Sequence, residues 1–226
     1  MSENASKILN YIYDLESNGD YNRWNNRTRV KPNVPVTSMS VLEVMEWQQR
    51  NLKQPKGKQF TAVGAGQIIY KTMRDLVQNG VIDPNDKFNK KTQDKANLHL
   101  MERRGLSSWQ EGRITDEEFG NRLAKEWASL PVLQDTYRGN QRIPKGRSYY
   151  SGVGKNAARA RPGNFLNVLS DNAFVRVSSK NTISDPFDPA GSEMRPNAGF
   201  WLDEQNDPYV KTTPDLPPWA KEPVVV

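Results

Sequence analysis

A chain of 226 residues with a net charge of +6 and no cysteine is long enough for one full hydrophobic core plus an appendage, and packing alone must hold that core. The missing thiols exclude disulfides, thiolate metal sites and cysteine nucleophiles; the single histidine, His99, excludes multi-histidine metal centres and makes a Ser-His-Asp triad a poor fit. No apolar run approaches the roughly 20 residues of a membrane span and Met1-Ser2-Glu3-Asn4 is not a charged-then-apolar leader, so a chain made in the cytoplasm without an export signal, metal or cofactor is expected.

The first predicted element is a helix. From Ser6 to Leu15, Ile8, Leu9, Ile12 and Leu15 recur at three- and four-residue spacing, the stripe of an amphipathic helix facing a core. Glu16 continues the Leu9 and Ile12 row and is followed by the polar turn Ser17-Asn18-Gly19-Asp20. Its carboxylate therefore falls at the edge of the apolar face and at the helix C-terminus, where desolvation and the helix dipole both disfavour an anion. A carboxylic acid that keeps its proton near neutral pH is what cleavage of a glycosidic bond needs at the leaving oxygen. A solvated helix-end glutamate is the plain alternative.

Further elements follow in order. Arg27 to Val36, with Pro32 and Pro35 among β-branched residues, reads as a loop or small hairpin. Ser40 with Glu43 three residues on is a capping box opening a helix at Val41. Gln67 to Gln78 carries Ile69, Thr72, Met73 and Leu76 on one face and ends at Asn79-Gly80, a left-handed cap. Thr92 to Arg104 makes another helix, stopped by Gly105, with His99 read as structural. Thr115 with Glu118 forms a second capping box ahead of the stripe Phe119, Leu123, Trp127 and Leu130. Five helices around one core, with a small irregular or β lobe, give a mainly α class of α+β type.

The C-terminal region differs. Residues 1–165 hold 27 Lys/Arg against 17 Asp/Glu, whereas residues 166–226 hold 5 against 9, and 8 of the 15 prolines lie between Pro186 and Pro223. Without a sustained period of 2 or 3.6 this stretch cannot build its own core. Its aromatic residues, among them Phe187, Trp201 and Trp219, point to an extended acidic arm that docks on the folded part or on a partner, with one short strand expected from Asn172 to Val177. The division expected is a folded domain at 1–165 and an arm at 166–226. The basic folded part suits a polyanion. Nucleic acid is disfavoured, because no concentrated Lys/Arg helix with interleaved aromatics is present and only Arg138 to Arg161 gathers basic residues densely.

Glu16-Ser-Asn-Gly after a helix, Gly64-Ala65-Gly66-Gln67, Gln93-Asp94, Glu102-Arg103-Arg104-Gly105 and Lys125-Glu126-Trp127-Ala128-Ser129-Leu130-Pro131 occur in this order. Together they resemble the phage-lambda-type endolysin family over about residues 6 to 160. The resemblance implies a lysozyme-like fold and lytic transglycosylase activity on bacterial peptidoglycan. It places the catalytic acid/base on Glu16 and a groove-facing glutamine on Gln67, at the start of its helix. Ala65 and Gly66 stand where Arg and Tyr are usual, so Tyr21 or Tyr70 is expected to replace the stacking surface, and Tyr149 and Tyr150 to offer aromatic platforms. The segment Gly146 to Asn156 also resembles one in phage peptidoglycan hydrolases. Asp20 is the only nearby second carboxylate, and the transglycosylase reaction does not require one. An enzyme free or carried on a phage particle, with the arm holding other virion proteins, is the first expectation; a virion adaptor that keeps the fold for binding is the second.

Overall fold

The computed structural model describes residues 3–154 and 156–171. The N-terminal stripe forms α1 (Glu3–Ser17), which buries Ala5, Ile8, Leu9, Ile12 and Tyr13, with Glu3 and Lys7 paired one turn apart on the wet face. Each fully buried Ile or Leu contributes roughly 1.5–3 kcal/mol. The helix ends where the sequence requires it. Asn18 (φ 58) and Gly19 (φ 72) turn left-handed, and the Gly19 N–H reaches back to the Tyr13 carbonyl at 3.1 Å.

Residues 27–36 run as turns and bends into a 3-10 turn at Val36–Ser38 rather than as a hairpin. α2 (Val41–Leu52) opens with both arms of the Ser40/Glu43 capping box in place. Between it and the next helix, Val63 pairs with Ile68 and with Trp24, so residues 63–68 form a tight hairpin. The helix expected from Gln67 accordingly begins three residues later, as α3 (Tyr70–Gln78), because Gln67 is occupied by that hairpin with φ at 51. α4 (Lys90–Arg103) starts two residues before the expected Thr92, capped by the Asn89 side chain. α5 (Leu106–Gln110) follows the left-handed Gly105 (φ 97), and α6 (Asp116–Ala124) is capped by Thr115. Only one arm of the second capping box forms, since Glu118 turns to Arg122 instead. Trp127 and Leu130 lie past the end of α6 yet stay buried.

Two short strands, β1 (Thr136–Arg138) and β2 (Gln141–Ile143), make an antiparallel hairpin that the periodicity did not announce. The described residues close with α7 (Pro162–Asp171), whose Phe165 and Leu169 are fully buried. The expected boundary after residue 165 therefore cuts through a packed helix, and the folded body extends at least to Asp171. The strand expected at 172–177 and the Pro-rich arm lie outside the described residues.

Seven α-helices and two short strands make the described chain mainly helical. α1 packs on α4 and α7, α4 on α5, α5 on α6 and α6 on α7, which closes a circuit of five helices. Trp109 stacks on Phe119 inside it (4.9 Å) and Tyr11 on Phe165 (5.9 Å). α2 and α3 form a separate pair, and the buried Gln48 of α2 donates to the carbonyls of Thr61 and Ile68, tying that pair to the hairpin. No helix of the described residues is long and apolar enough to cross a membrane.

Candidate active site

Three distant segments converge at the C-terminal end of α1. Glu16 sits in its last turn, half-buried, and both donors of Ser129 point at one of its carboxylate oxygens: the hydroxyl reaches Oε1 at 2.7 Å and the backbone N–H at 3.2 Å. Ser129 is held in turn by residue 159, whose N–H donates to the Ser129 carbonyl at 2.8 Å. The Arg159 guanidinium donates to the Leu15 carbonyl at 2.7 Å, covering one of the open acceptors at the helix end. The second oxygen, Oε2, accepts no hydrogen bond from the described residues.

The electrostatics of this corner have opposing causes. Burial pushes the Glu16 carboxyl above its usual range, while the two Ser129 bonds and the nearby Arg159 charge pull it back. Burial is the largest of these, so the Glu16 carboxyl holds its proton to higher pH than a free glutamate does. With Oε1 taken by two donors, Oε2 is the oxygen left open.

Beside Glu16 stands a second polar cluster, rooted in Gln93 and Asp94 of α4. Tyr13, one turn before Glu16, and Tyr21 both donate their hydroxyls to Asp94 Oδ1, at 3.0 and 2.8 Å, and the Lys90 ammonium donates to Oδ2 at 2.8 Å. Tyr13 and Tyr21 meet edge to face at 5.5 Å, and burial raises both phenols above their usual range. Gln93, fully buried, donates to the carbonyls of Tyr21 (2.9 Å) and Phe88 (2.8 Å) and accepts from the Ala65 N–H (2.8 Å). The α4 pair Gln93-Asp94 thus pins the turn after α1 and the 63–68 hairpin to the helical body.

That clamp explains the glycines. A Cβ at Gly64 would lie 2.4 Å from Gln93 Oε1, and one at Gly66 would lie 2.0 Å from Asn97 Oδ1, both on side chains that are fully buried. Gln67 sits at the hairpin tip and donates to the Gly64 carbonyl at 2.9 Å, so its amide is folded onto its own turn. Tyr70 is only 4 % exposed and packs in the core, which leaves Tyr21 as the half-buried aromatic of the two. Ser17 is buried and donates back to the Tyr13 carbonyl. Asp20, the alternative carboxylate, accepts from the Asn22 N–H at 2.8 Å in a local turn.

Tyr149 and Tyr150 lie on a second loop, beyond the β1–β2 hairpin, that joins the one carrying Ser129. Pro131 bridges to Ser148, and the Tyr150 hydroxyl donates to the Lys125 carbonyl at 2.6 Å. Their rings meet edge to face at 5.3 Å, and the Lys125 ammonium lies over the Tyr149 ring at 5.6 Å. Burial, with Arg104 and Arg122 nearby, lowers the Lys125 ammonium below its usual range.

Protein-family models, curated proteins and solved structures return no match to this chain. The site therefore stands on its own geometry. Of the residues expected from sequence, Glu16, Tyr21, Tyr149 and Tyr150 are half-buried on segments that meet around α1 and the 125–131 loop, while Gln67 turns onto its own hairpin and Tyr70 is core. Ser129 and Arg159 were not expected as site residues. Ser129 lies inside the quoted Trp-Ala-Ser-Leu-Pro string, which was its only sequence signal; Arg159 stood out merely as one of the Arg138 to Arg161 basic residues.

Proposed function

We propose that this chain cleaves the β-1,4 bond between N-acetylmuramic acid and N-acetylglucosamine in peptidoglycan as a lytic transglycosylase of lysozyme-like fold, with Glu16 as sole acid and base. The observation that carries this reading is the half-buried Glu16 carboxyl, raised by burial and held through Oε1 by Ser129 so that Oε2 is the free oxygen. The Oε2 proton passes to the glycosidic oxygen as the C1–O bond breaks, and the carboxylate so formed is stabilised by Ser129 and Arg159. It then takes the proton of the C6 hydroxyl, whose oxygen closes on C1 to give a 1,6-anhydro end. Glu16 returns to its acid form and no water is consumed. A one-carboxylate scheme agrees with Asp20 and Asp94 being engaged elsewhere, by Asn22 and by Tyr13, Tyr21 and Lys90.

Purified peptidoglycan digested with the wild-type chain and with Glu16→Gln tests the reading, with muropeptide ends read by mass spectrometry. Anhydro ends from wild type alone are expected. Reducing ends would replace it by a hydrolase, and inactivity of both proteins would end it. The second reading, a virion adaptor that keeps the fold for binding, draws on Gln67 being folded onto its own turn and Tyr70 being core, which leaves those two expected saccharide contacts unmade. Retained binding to insoluble peptidoglycan without release of fragments would select it.

A further inference from the structure

A second concentration of unpaired basic charge, besides Arg138 to Arg161, lies on segments away from Glu16. Between residues 21 and 74 the sequence holds ten Lys/Arg against two carboxylates, Glu43 and Glu46. Arg27, Arg29 and Lys31 come from the loop before α2; Arg50, Lys53, Lys56 and Lys58 come from the end of α2 and the turn beyond it. All seven side chains are exposed and none forms an ion pair with a described residue.

The two segments form one face. Thr28 donates its hydroxyl to the Phe60 carbonyl at 3.2 Å, Asn51 exchanges hydrogen bonds with Val30 at 3.1 and 3.2 Å, and Trp47 Nε1–H donates to the Val30 carbonyl at 2.6 Å. The Arg27 guanidinium lies over the Phe60 ring at 5.7 Å. Lys31 and Arg50 both line one cleft of about 460 Å³ whose floor includes the buried Trp47. Like charges gathered this way repel one another and weaken the fold, a cost that an anionic partner reverses. Glu43 is used in the α2 cap, which leaves Glu46 as the one carboxylate at the rim without a capping duty.

We propose that this face docks peripherally on a bilayer rich in anionic, phosphate-bearing lipids. Two features favour a bilayer over nucleic acid. Val34, 52 % exposed and set among Lys31, Pro32 and Pro35, offers an apolar tip for the headgroup boundary, with flexible lysines beside it. Phe60, the aromatic on this face that a base would stack on, is already covered by Arg27, and six of the seven cations sit on turns and loops, Arg50 alone closing α2, rather than along a helix able to enter a groove. Lysines near an anionic surface each contribute roughly 1 kcal/mol, or about fivefold in partitioning, weakening as salt is added. The proposal goes beyond the reading of Glu16 and is independent of it.

The test is co-sedimentation of the full chain with vesicles of neutral phosphatidylcholine, alone or with a third anionic phospholipid. Binding to the anionic vesicles only, reduced by salt, is expected. Lys53→Gln/Lys56→Gln/Lys58→Gln should lower the partition coefficient roughly a hundredfold with an unchanged thermal melt. Lys91→Gln/Lys95→Gln/Lys145→Gln, equal in charge but elsewhere on the surface, should lower it much less, and Glu16→Gln should bind as wild type. Equal losses in the two triple variants, equal binding to neutral vesicles, no binding at low salt, or preference for duplex DNA at equal phosphate would each overturn the proposal.

Discussion

Ser129→Ala is the sharpest probe of the site. The substitution removes the 2.7 Å hydroxyl bond to Glu16 Oε1 and leaves the 3.2 Å backbone bond in place. A hydrogen bond to a neutral acid contributes about 0.5–1.5 kcal/mol and one to a carboxylate about 1.5–3 kcal/mol. Only the difference accelerates the reaction, because the bond exists before and after the proton leaves. The expected loss is therefore about 1–2 kcal/mol of transition-state stabilisation, roughly 5- to 30-fold in kcat. The pH profile carries a second signature. Ser129 pulls the Glu16 carboxyl down, so its loss lets Glu16 hold its proton to higher pH, and the alkaline limb moves upward. Rates of peptidoglycan clearing across a pH series measure both, with thermal melts to show that the fold survives. An unchanged kcat with an unmoved alkaline limb would refute the role given to Ser129. A loss as deep as that of Glu16→Gln would mean that Ser129 does more than position the acid.

Three further outcomes follow from the same geometry. Glu16→Gln should abolish cleavage, by about 10²- to 10⁴-fold or more, yet stabilise the fold at neutral pH. A folded-state pKa raised above the unfolded one gives stability that is present below the unfolded value and lost as pH rises through the folded value; the amide escapes that loss, so its melting advantage should vanish on acidification. Gly66→Ala should cost roughly 1–3 kcal/mol in denaturant titration, because its Cβ would meet the buried Asn97 side chain at 2.0 Å, whereas Gly57→Ala, with no neighbour within 4 Å but φ at +81, should cost only about 1 kcal/mol. Truncation after residue 165 should destabilise the folded body by at least the roughly 2–5 kcal/mol of a buried leucine, since it removes Leu169, whereas truncation after residue 171 should leave the melting temperature and the lytic activity close to those of the full chain.

Much of the helical framework was legible because its causes are local. The Ile8, Leu9 and Ile12 stripe, the Ser40/Glu43 box and the Asn79-Gly80 stop act within one or two turns, and each appears where its residues put it. What was missed depends on pairs far apart in the chain. Gln67 reads as a helix start until the Val63–Ile68 pairing and the Gln93 bond to Ala65, 28 residues away, draw it into a hairpin. Tyr70 reads as a groove aromatic until the packing of α3 buries it. α7 carried an overlooked local signal, Pro162 at the first helical position with Phe165, Leu166 and Leu169 at helical spacing, obscured by the Pro-rich composition that follows. Glu16 reads as a candidate from its row on α1 and its turn, but its partner Ser129 lies 113 residues on, beyond the reach of any periodicity.

The convergence at the end of α1 also sets a timetable for the acid. Synthesis runs from the N-terminus at roughly 5–20 residues per second, so α1 emerges long before the Ser129 loop and the Arg159 strap, 113 and 144 residues later. Until those segments arrive, the carboxylate has neither its orienting donors nor the walls that keep water from it. A ribosome-bound or prematurely ended chain that stops short of residue 159 thus carries the glutamate without its complete corner. Under the proposed role of Glu16, competence waits on the closure of two long loops, the 113-residue one to Ser129 and the 144-residue one to Arg159.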